Sequence, residues 1–458
     1  GTVGSAAGGD AITLAAASFD VGTGALATPN GRWLVFSGDP AADVVTGLAY
    51  DFKQFKATYS LTPVQTTTAG NGLLYTLAPS LTGSLIGTVS KIYDSTATAA
   101  ATVANLSFSG QLAGDVVTAN VTSSAYINKN VGTGKQVDAN VTLSSVVDGA
   151  GKPVYDYQLG GGGVFSGNIG TITPASLTMG GITASNKTYD STTGATVSTA
   201  GATYTGLFAG DAVTVSATGT FSNKNVGTGK TVTLTSSYTG ADVSNYTITD
   251  QASTTANITP ATLTASAAGI NRTYDGSTTA TVTVGDNRFA GDSLTLTYAG
   301  ASFADKNVGT GKAVSVSGIA ISGGADAGNY TLGGTTASTT ANISQLASVA
   351  WTGGSTGNWS NAANWAGGAI PDLSNVAAVT IGSGTTVTYD AGVAGTTNLT
   401  SLSDAGTFQM AGGALTVSGA MATAGFGQTG GTLSAGTLTV SALGAITGTL
   451  TVSALGAI

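Results

Sequence analysis

Eight residues carrying two lysines recur three times: "NKNVGTGK" at Asn128 and again at Asn223, and "DKNVGTGK" at Asp305. A glycine-rich Gly-Lys pair can cradle phosphate, because backbone amides, a lysine and a following hydroxyl share the oxygens and a Mg²⁺ ion. That chemistry also needs a glycine five residues before the pair and a Ser or Thr after it. Lys224 stands five residues before Gly229, and Gln136 and Ala313 follow Lys135 and Lys312. The nucleotide pattern is not met. The motif predicts instead a β-hairpin, with Gly-Thr-Gly supplying positive φ ahead of alternating apolar positions.

Other groups able to do chemistry are few. The chain has no Cys and no His, so the disulfide, the commonest metal ligand and the commonest general base are all missing. Asp115, Asp211 and Asp292 stand in recurring Gly-Asp pairs. A Ca²⁺ ion wants about six to eight oxygens and each repeat has few neighbouring carboxylates, so a turn cap or a pair with Lys129, Lys224 and Lys306 is expected. A Lys-to-Asn or Lys-to-Asp amide bond is the covalent alternative for the same lysines.

Tyr93, Tyr189 and Tyr274, followed by Asp94, Asp190 and Asp275, are expected as rings packed at a domain corner with the hydroxyl bonded to backbone. Trp351, Trp359 and Trp365 are candidate glycan contacts, with the capping of a core as the other reading. Glycoside hydrolysis usually needs two carboxylates at a fixed separation. Beyond Trp351 the chain has Asp372, Asp390 and Asp404 and no Glu, Lys or Arg. No catalytic residue, metal site or cofactor is assigned, and the protein is not expected to be an enzyme. Asn-x-Ser/Thr sequons at Asn120, Asn140, Asn186, Asn245, Asn257, Asn271 and Asn329 are acceptor sites only in a suitable export pathway.

These residues sit in a chain built for strands. Of 458 residues 69 are Gly, only 8% are charged, and Thr and Val alternate through long stretches where helix formers are scarce. An all-β fold is expected. The net charge of -8 and the lack of a basic patch speak against nucleic-acid binding. Apolar runs are too short for the roughly 18–20 residues of a membrane-spanning helix. With no signal-peptide pattern at Gly1, the chain is read as an internal or processed piece of something longer.

The recurring signals keep one order. Units of about 85 to 95 residues open with "KIYDSTATA" at Lys91, "KTYDSTTGA" at Lys187 and "RTYDGSTTA" at Arg272, pass through the Gly-Asp pair, and reach the first lysine of the motif 13 or 14 residues after each aspartate. The second and third end in "NYTITD" at Asn245 and "NYTLGG" at Asn329, while the first has "YDYQLG" at Tyr155 after an inserted "DGAGKPVYD". Short threonine-rich connectors with Pro174 and Pro260 join them. The expected layout is an N-terminal β-rich segment over 1–84, the end of an upstream β-helix, then three small β-sandwiches of immunoglobulin-like size over 85–171, 172–257 and 258–345. Residues 346–458 follow as a Trp motif with a glycine-rich, parallel β-helix-like segment, in which "TLTVSALGAI" occurs at Thr437 and Thr449.

"GRWLVFSGDP" with "YDFKQF", the "TYDGSTTA" opening, the "KNVGTGK" motif and the "NYTITD" ending resemble the YDG and glycine-rich, mostly-β repeats of exported bacterial exoproteins of the filamentous haemagglutinin-like, two-partner-secretion type. The resemblance covers most of residues 1–345. "WTGGSTGNWSNAANW" and the rungs after it are similar to the passenger β-helices of autotransporters. The resemblance implies an adhesin, stalk or filament subunit on the bacterial outer surface or secreted from it, exported through an outer-membrane transporter and self-associating through strand edges or repeat faces. A host or surface glycan is the further candidate partner; a carbohydrate-binding module and a β-helix polysaccharide-cleaving enzyme are the alternative functions.

Overall fold

The computed structural model describes residues 2–64 and 69–456. The end of the second "TLTVSALGAI" copy lies outside the described residues. Strands dominate, and the only helical segments among the described residues are 3-10 turns of three or four residues, as the threonine, valine and glycine content requires. Among the described residues no helix is long and apolar enough to cross a membrane. The described residues fall into two compact units, residues 1–184 with 196–219 and 233–254, and residues 185–195 with 220–232 and 255–458.

The first unit begins with a parallel stack. Gly9–Ala15, Gly31–Ser37, Gly72–Tyr75 and Phe52–Gln54 pair in parallel, with Ile12 opposite Trp33 and Leu34 opposite Gly72. Parallel strands are usually covered on both faces, and "WLVFS" is buried throughout. Trp33, Val35, Leu73 and Tyr75 fill one core, and Leu34, Phe36 and Leu74 another. The insert of the first repeat joins this stack, since Val154–Tyr155 pairs in parallel with Phe52–Gln54.

The first and third repeats are antiparallel in their long strands. In the first, Val116–Tyr126 and Val164–Thr173 flank Gly132–Val147, and Val89–Ile92 closes the sheet in parallel. A second sheet of Ser80–Leu85 with Leu106–Ser109 and Gln158–Leu159 supplies Leu85 and Phe108 to the core with Val137, Ala139 and Phe165. The third repeat uses the same long pairings, with Gly309–Ser317 between Gly300–Phe303 and Thr336–Ser344.

The Gly-Thr-Gly expectation needs correction. The turn lies before it, over "INKN" at residues 127–130, and Gly132 already belongs to the strand. Only the second glycine has positive φ, +63° at Gly134, +59° at Gly229 and +60° at Gly311. The pairing register shifts on either side of Lys135, so the motif is a bulge in the strand leaving the hairpin. It returns the second lysine to the turn: Lys135 donates to Asn128 at 2.6 Å, Lys230 to Asn223 at 2.7 Å and Lys312 to Asp305 at 2.6 Å.

From Leu346 the described residues of the second unit continue as nine strands in one sheet, every pair parallel. Like side chains stack rung on rung. Val349, Val379, Leu402, Met421, Leu438 and Leu455 form one ladder. Leu415, Leu433 and Leu450 form a second, and Phe408 lies parallel to Phe426 with centroids 6.3 Å apart. In a solenoid each rung buries its apolar face only against its neighbours. Leu433→Ala removes a fully buried rung side chain and is expected to destabilise the second unit by about 2–5 kcal/mol, seen as an earlier urea midpoint in its unfolding transition. An unchanged midpoint would show that the ladder does not hold this segment together.

Candidate functional site

The residues singled out by their recurrence converge, but each repeat shares them with its neighbour. In the first unit Lys129 donates to Asp211 of the next repeat and lies 3.0 Å from Asp242. The Tyr93 hydroxyl donates to Asp211 Oδ2 at 2.8 Å and the Tyr246 hydroxyl to the same oxygen at 2.5 Å. The Asp211 side chain has no exposed surface. A carboxylate so placed needs a cation and several donors, and here it has one lysine and two phenols.

The second unit repeats the arrangement. Lys224 donates to Asp292 at 2.5 Å and lies 3.0 Å from Asp326, while Tyr189 and Tyr330 both donate to Asp292 Oδ2 at 2.7 Å. The rings repeat as well. Tyr93 meets Tyr246, and Tyr189 meets Tyr330, edge to face at 5.4 Å, and the lysine lies over the first ring of each pair. Beside each cluster the N–H of the motif valine donates to a buried asparagine Oδ1 across the joint: Val131 to Asn245 and Val226 to Asn329, both at 2.9 Å.

The third repeat meets the parallel solenoid through the same device. Lys306 donates to Asp372 at 2.7 Å, Tyr274 donates to Ile370 O at 2.9 Å and to Asp372 at 3.2 Å, and Val308 N–H donates to Asn375 Oδ1 at 2.8 Å. The N-terminal stack and the first repeat form a looser version. Tyr50 donates to Asp148 at 2.5 Å and Lys53 lies 3.1 Å from the same carboxylate, while Asp115 accepts from Tyr157 of its own repeat at 2.5 Å.

Two expectations change accordingly, and one of the two readings of the tryptophans falls away. Asp115, Asp211 and Asp292 do not pair with the lysine of their own repeat; the pairing of Lys129 and Lys224 is displaced by one repeat, and Asp115 takes a tyrosine. The hydroxyls of Tyr93, Tyr189 and Tyr274 do not rest on backbone alone, since each reaches a carboxylate. Trp351, Trp359 and Trp365 offer no stacking face to a glycan. They are 8%, 0% and 2% exposed, Trp359 and Trp365 lie 4.6 Å apart, and their indole N–H groups bond the carbonyls of Gly354, Pro371 and Trp359.

The carboxylates of the solenoid are also committed. Asp372 is in the joint, Asp390 accepts from the amides of Ser360 and Gly392, and Asp404 accepts from Thr423 and the Gly406 amide. Among the described residues no cluster of three or more acidic groups could hold a metal ion. Of the sequons, Asn245 and Asn329 are buried inside joints.

Asp94, Asp190 and Asp275 build the turn after the tyrosine. Each accepts from the amide and hydroxyl of the residue two positions on, Thr96, Thr192 or Ser277, and pairs with Lys91, Lys187 or Arg272. The residue between has positive φ, +65° at Ser95, +62° at Ser191 and +78° at Gly276. Only Gly276 is also crowded, because a Cβ there would lie 2.4 Å from Gly368 O. Gly276→Ser, which copies the other two turns, is expected to destabilise the second unit by about 1–3 kcal/mol, and Ser191→Gly by a few tenths at most. Equal effects on the thermal midpoint would remove the steric explanation.

Residues missed from sequence are the acceptors Asp242, Asp326 and Asn375 and the donors Tyr50 and Lys53, while Asp372, Asn245 and Asn329 were singled out for other roles. Their signal was present as "DVSNY", "DAGNY" and "DLSN", and as the "YDFK" that echoes the repeat openings.

Electrostatics follows the partners. Burial alone would raise the carboxyls of Asp211 and Asp292, but lysine and tyrosine hydrogen bonds outweigh it and hold both below the ordinary value. Burial and the shared carboxylates push Tyr246 and Tyr330 up to about 12. Asp115, with no lysine bonded to it, is raised by burial. A carboxyl lowered by folding contributes stability above its unfolded pKa of about 3.9, and that contribution is lost as pH falls through the lower folded value. Unfolding free energy is therefore expected to be flat in this contribution from pH 7 to about 5 and to fall below about 4. Asp211→Asn or Asp292→Asn should lower stability at pH 7 by about 2 kcal/mol and flatten the acid limb. A variant with the parent's full acid slope would put the titrating groups elsewhere.

No curated protein matches the chain. The YDG domain matches residues 77–161, 173–256 and 259–341, together more than half of the sequence, and each joint described above involves at least one of these three stretches. By that coverage the chain belongs to the YDG domain family.

Proposed function

We propose that the chain is an extracellular structural and adhesive segment of a bacterial surface protein, non-enzymatic, in which tandem β repeats act in series. The observation that supports this best is the recurring joint. A buried carboxylate, a lysine and tyrosines tie each repeat to the next module, and this is what modules need if they must transmit load rather than move independently. Absence of cysteine and 8% charged residues suit a chain that folds after crossing membranes without disulfides. The resemblance to two-partner-secretion exoproteins supports an outer-membrane transporter as the export partner. Strands at the end of a sheet, such as Gly9–Ala15, would support contacts between copies. Burial of the three tryptophans removes the basis for a glycan-binding module at that place.

Immunogold labelling of intact, unpermeabilised cells with an antibody to the purified chain is expected to decorate the outer surface, with loss of adherence when the coding sequence is deleted. Label found only after permeabilisation would overturn the surface role. Surface label with unaltered adherence would leave a structural part and remove the adhesive one.

A further inference from the structure

We propose that the joints are one interchangeable interface, so that any donor end in this chain docks onto any acceptor end and a repeat can be removed or added without losing a joint. The donor end consists of the turn tyrosine, the first lysine of the hairpin and the N–H of the valine after it. The acceptor end consists of the Gly-Asp carboxylate, the Asp-x-x-Asn-Tyr residues and a small apolar floor.

The floors match position by position. At the acceptor of the second repeat Ala175, Leu177, Val213 and Tyr246 share a core with the first repeat. Their counterparts in the third are Ala261, Leu263, Leu294 and Tyr330, all buried, and differ by one methylene at a single position. Ala175 and Ala261 begin strands that pair in parallel with Tyr246 and Tyr330 in the same register. Phe208 and Phe289 each donate an amide hydrogen to the tyrosine hydroxyl.

The covalent connections match too. Tyr93 N–H donates to Thr173 O, and Tyr189 N–H to Thr259 O, at 2.8 Å in both cases. Each threonine is followed by Pro-Ala, at 174–175 and 260–261. The solenoid shows how little the acceptor needs, because Asp372 and Asn375 take the donor end of the third repeat although Val376 stands where the repeats have tyrosine.

Deleting Pro174–Thr259 from the otherwise whole chain restores the same Thr-Pro-Ala junction and brings the donor of the first repeat to the acceptor of the third. In the parent, Lys129→Met and Asp292→Asn belong to different joints, and their effects on the unfolding midpoint should add. In the deletion chain they should couple as strongly as Lys129→Met and Asp211→Asn do in the parent. Additive effects in the deletion chain would overturn the proposal. Should the deletion chain fail to fold, a second copy of Pro174–Thr259 inserted after Thr259 leaves every repeat a complete neighbour on both sides. It is expected to resist trypsin at the new junction as the parent does, and cleavage there, or failure of this chain as well, would also overturn the proposal.

Discussion

A carboxylate removed from water must be given charge and hydrogen bonds, and Asp211 and Asp292 are removed almost completely. Neither repeat that contains one can satisfy it alone. Each offers one tyrosine from its own "NY" ending, and the lysine and second tyrosine come from the preceding repeat. Separating two modules would therefore leave a carboxylate short of its cation and re-expose aromatic surface that had been packed edge to face. The apolar contacts supply non-directional attraction, while the buried charge adds the requirement that one register and one orientation be met.

The two lysines of the motif divide this work. The second closes its own turn through Asn128, Asn223 or Asp305, which fixes the loop before any neighbour is present. The first points out of that turn to the next module. A bulge with a left-handed glycine separates them, and without it the second lysine could not fold back while the strand continues. This is why a lysine pair spaced six apart persists with an invariant Gly-Thr-Gly between its members in all three repeats.

Much of this could be read in the chain before the fold was known, and the unread part has a physical cause. Alternation of Thr and Val indicated strands, and the order of tyrosine, aspartate and lysine motifs marked the repeats. The solenoid was legible from its glycine-punctuated runs of small and apolar residues, but its register was not, since the two copies of "TLTVSALGAI" do not stack on each other: Leu450 lies on Leu433 and Leu455 on Leu438. Partnership was not legible. Asp115 and Lys129 lie 14 residues apart in sequence, and local proximity suggested a pair within one repeat. In tandem copies, however, an in-repeat pair and a pair displaced by one repeat produce the same string of letters. Only the geometry of the joint separates them. The tryptophans were ambiguous for a similar reason, since three closely spaced indoles describe a sugar platform and a buried cap equally well until their N–H partners are known.

Neighbouring repeats of similar sequence carry a hazard that bears on why the joint is polar. Two adjacent modules with matching strands can exchange elements during folding, which is a characteristic failure of tandem repeats. A joint held only by apolar surface would stabilise many wrong contacts nearly as well as the right one. Replacing buried ion pairs by apolar residues often leaves stability unchanged or higher, so strength alone does not explain the lysine and the aspartate. Misplacement explains them better. In a swapped or shifted contact Asp211 would be buried without Lys129, and the unpaired charge would penalise that state far more than the correct joint is favoured. The buried carboxylate thus selects against the alternatives that repetition creates, while the tyrosine rings and the small apolar floor hold the arrangement it selects.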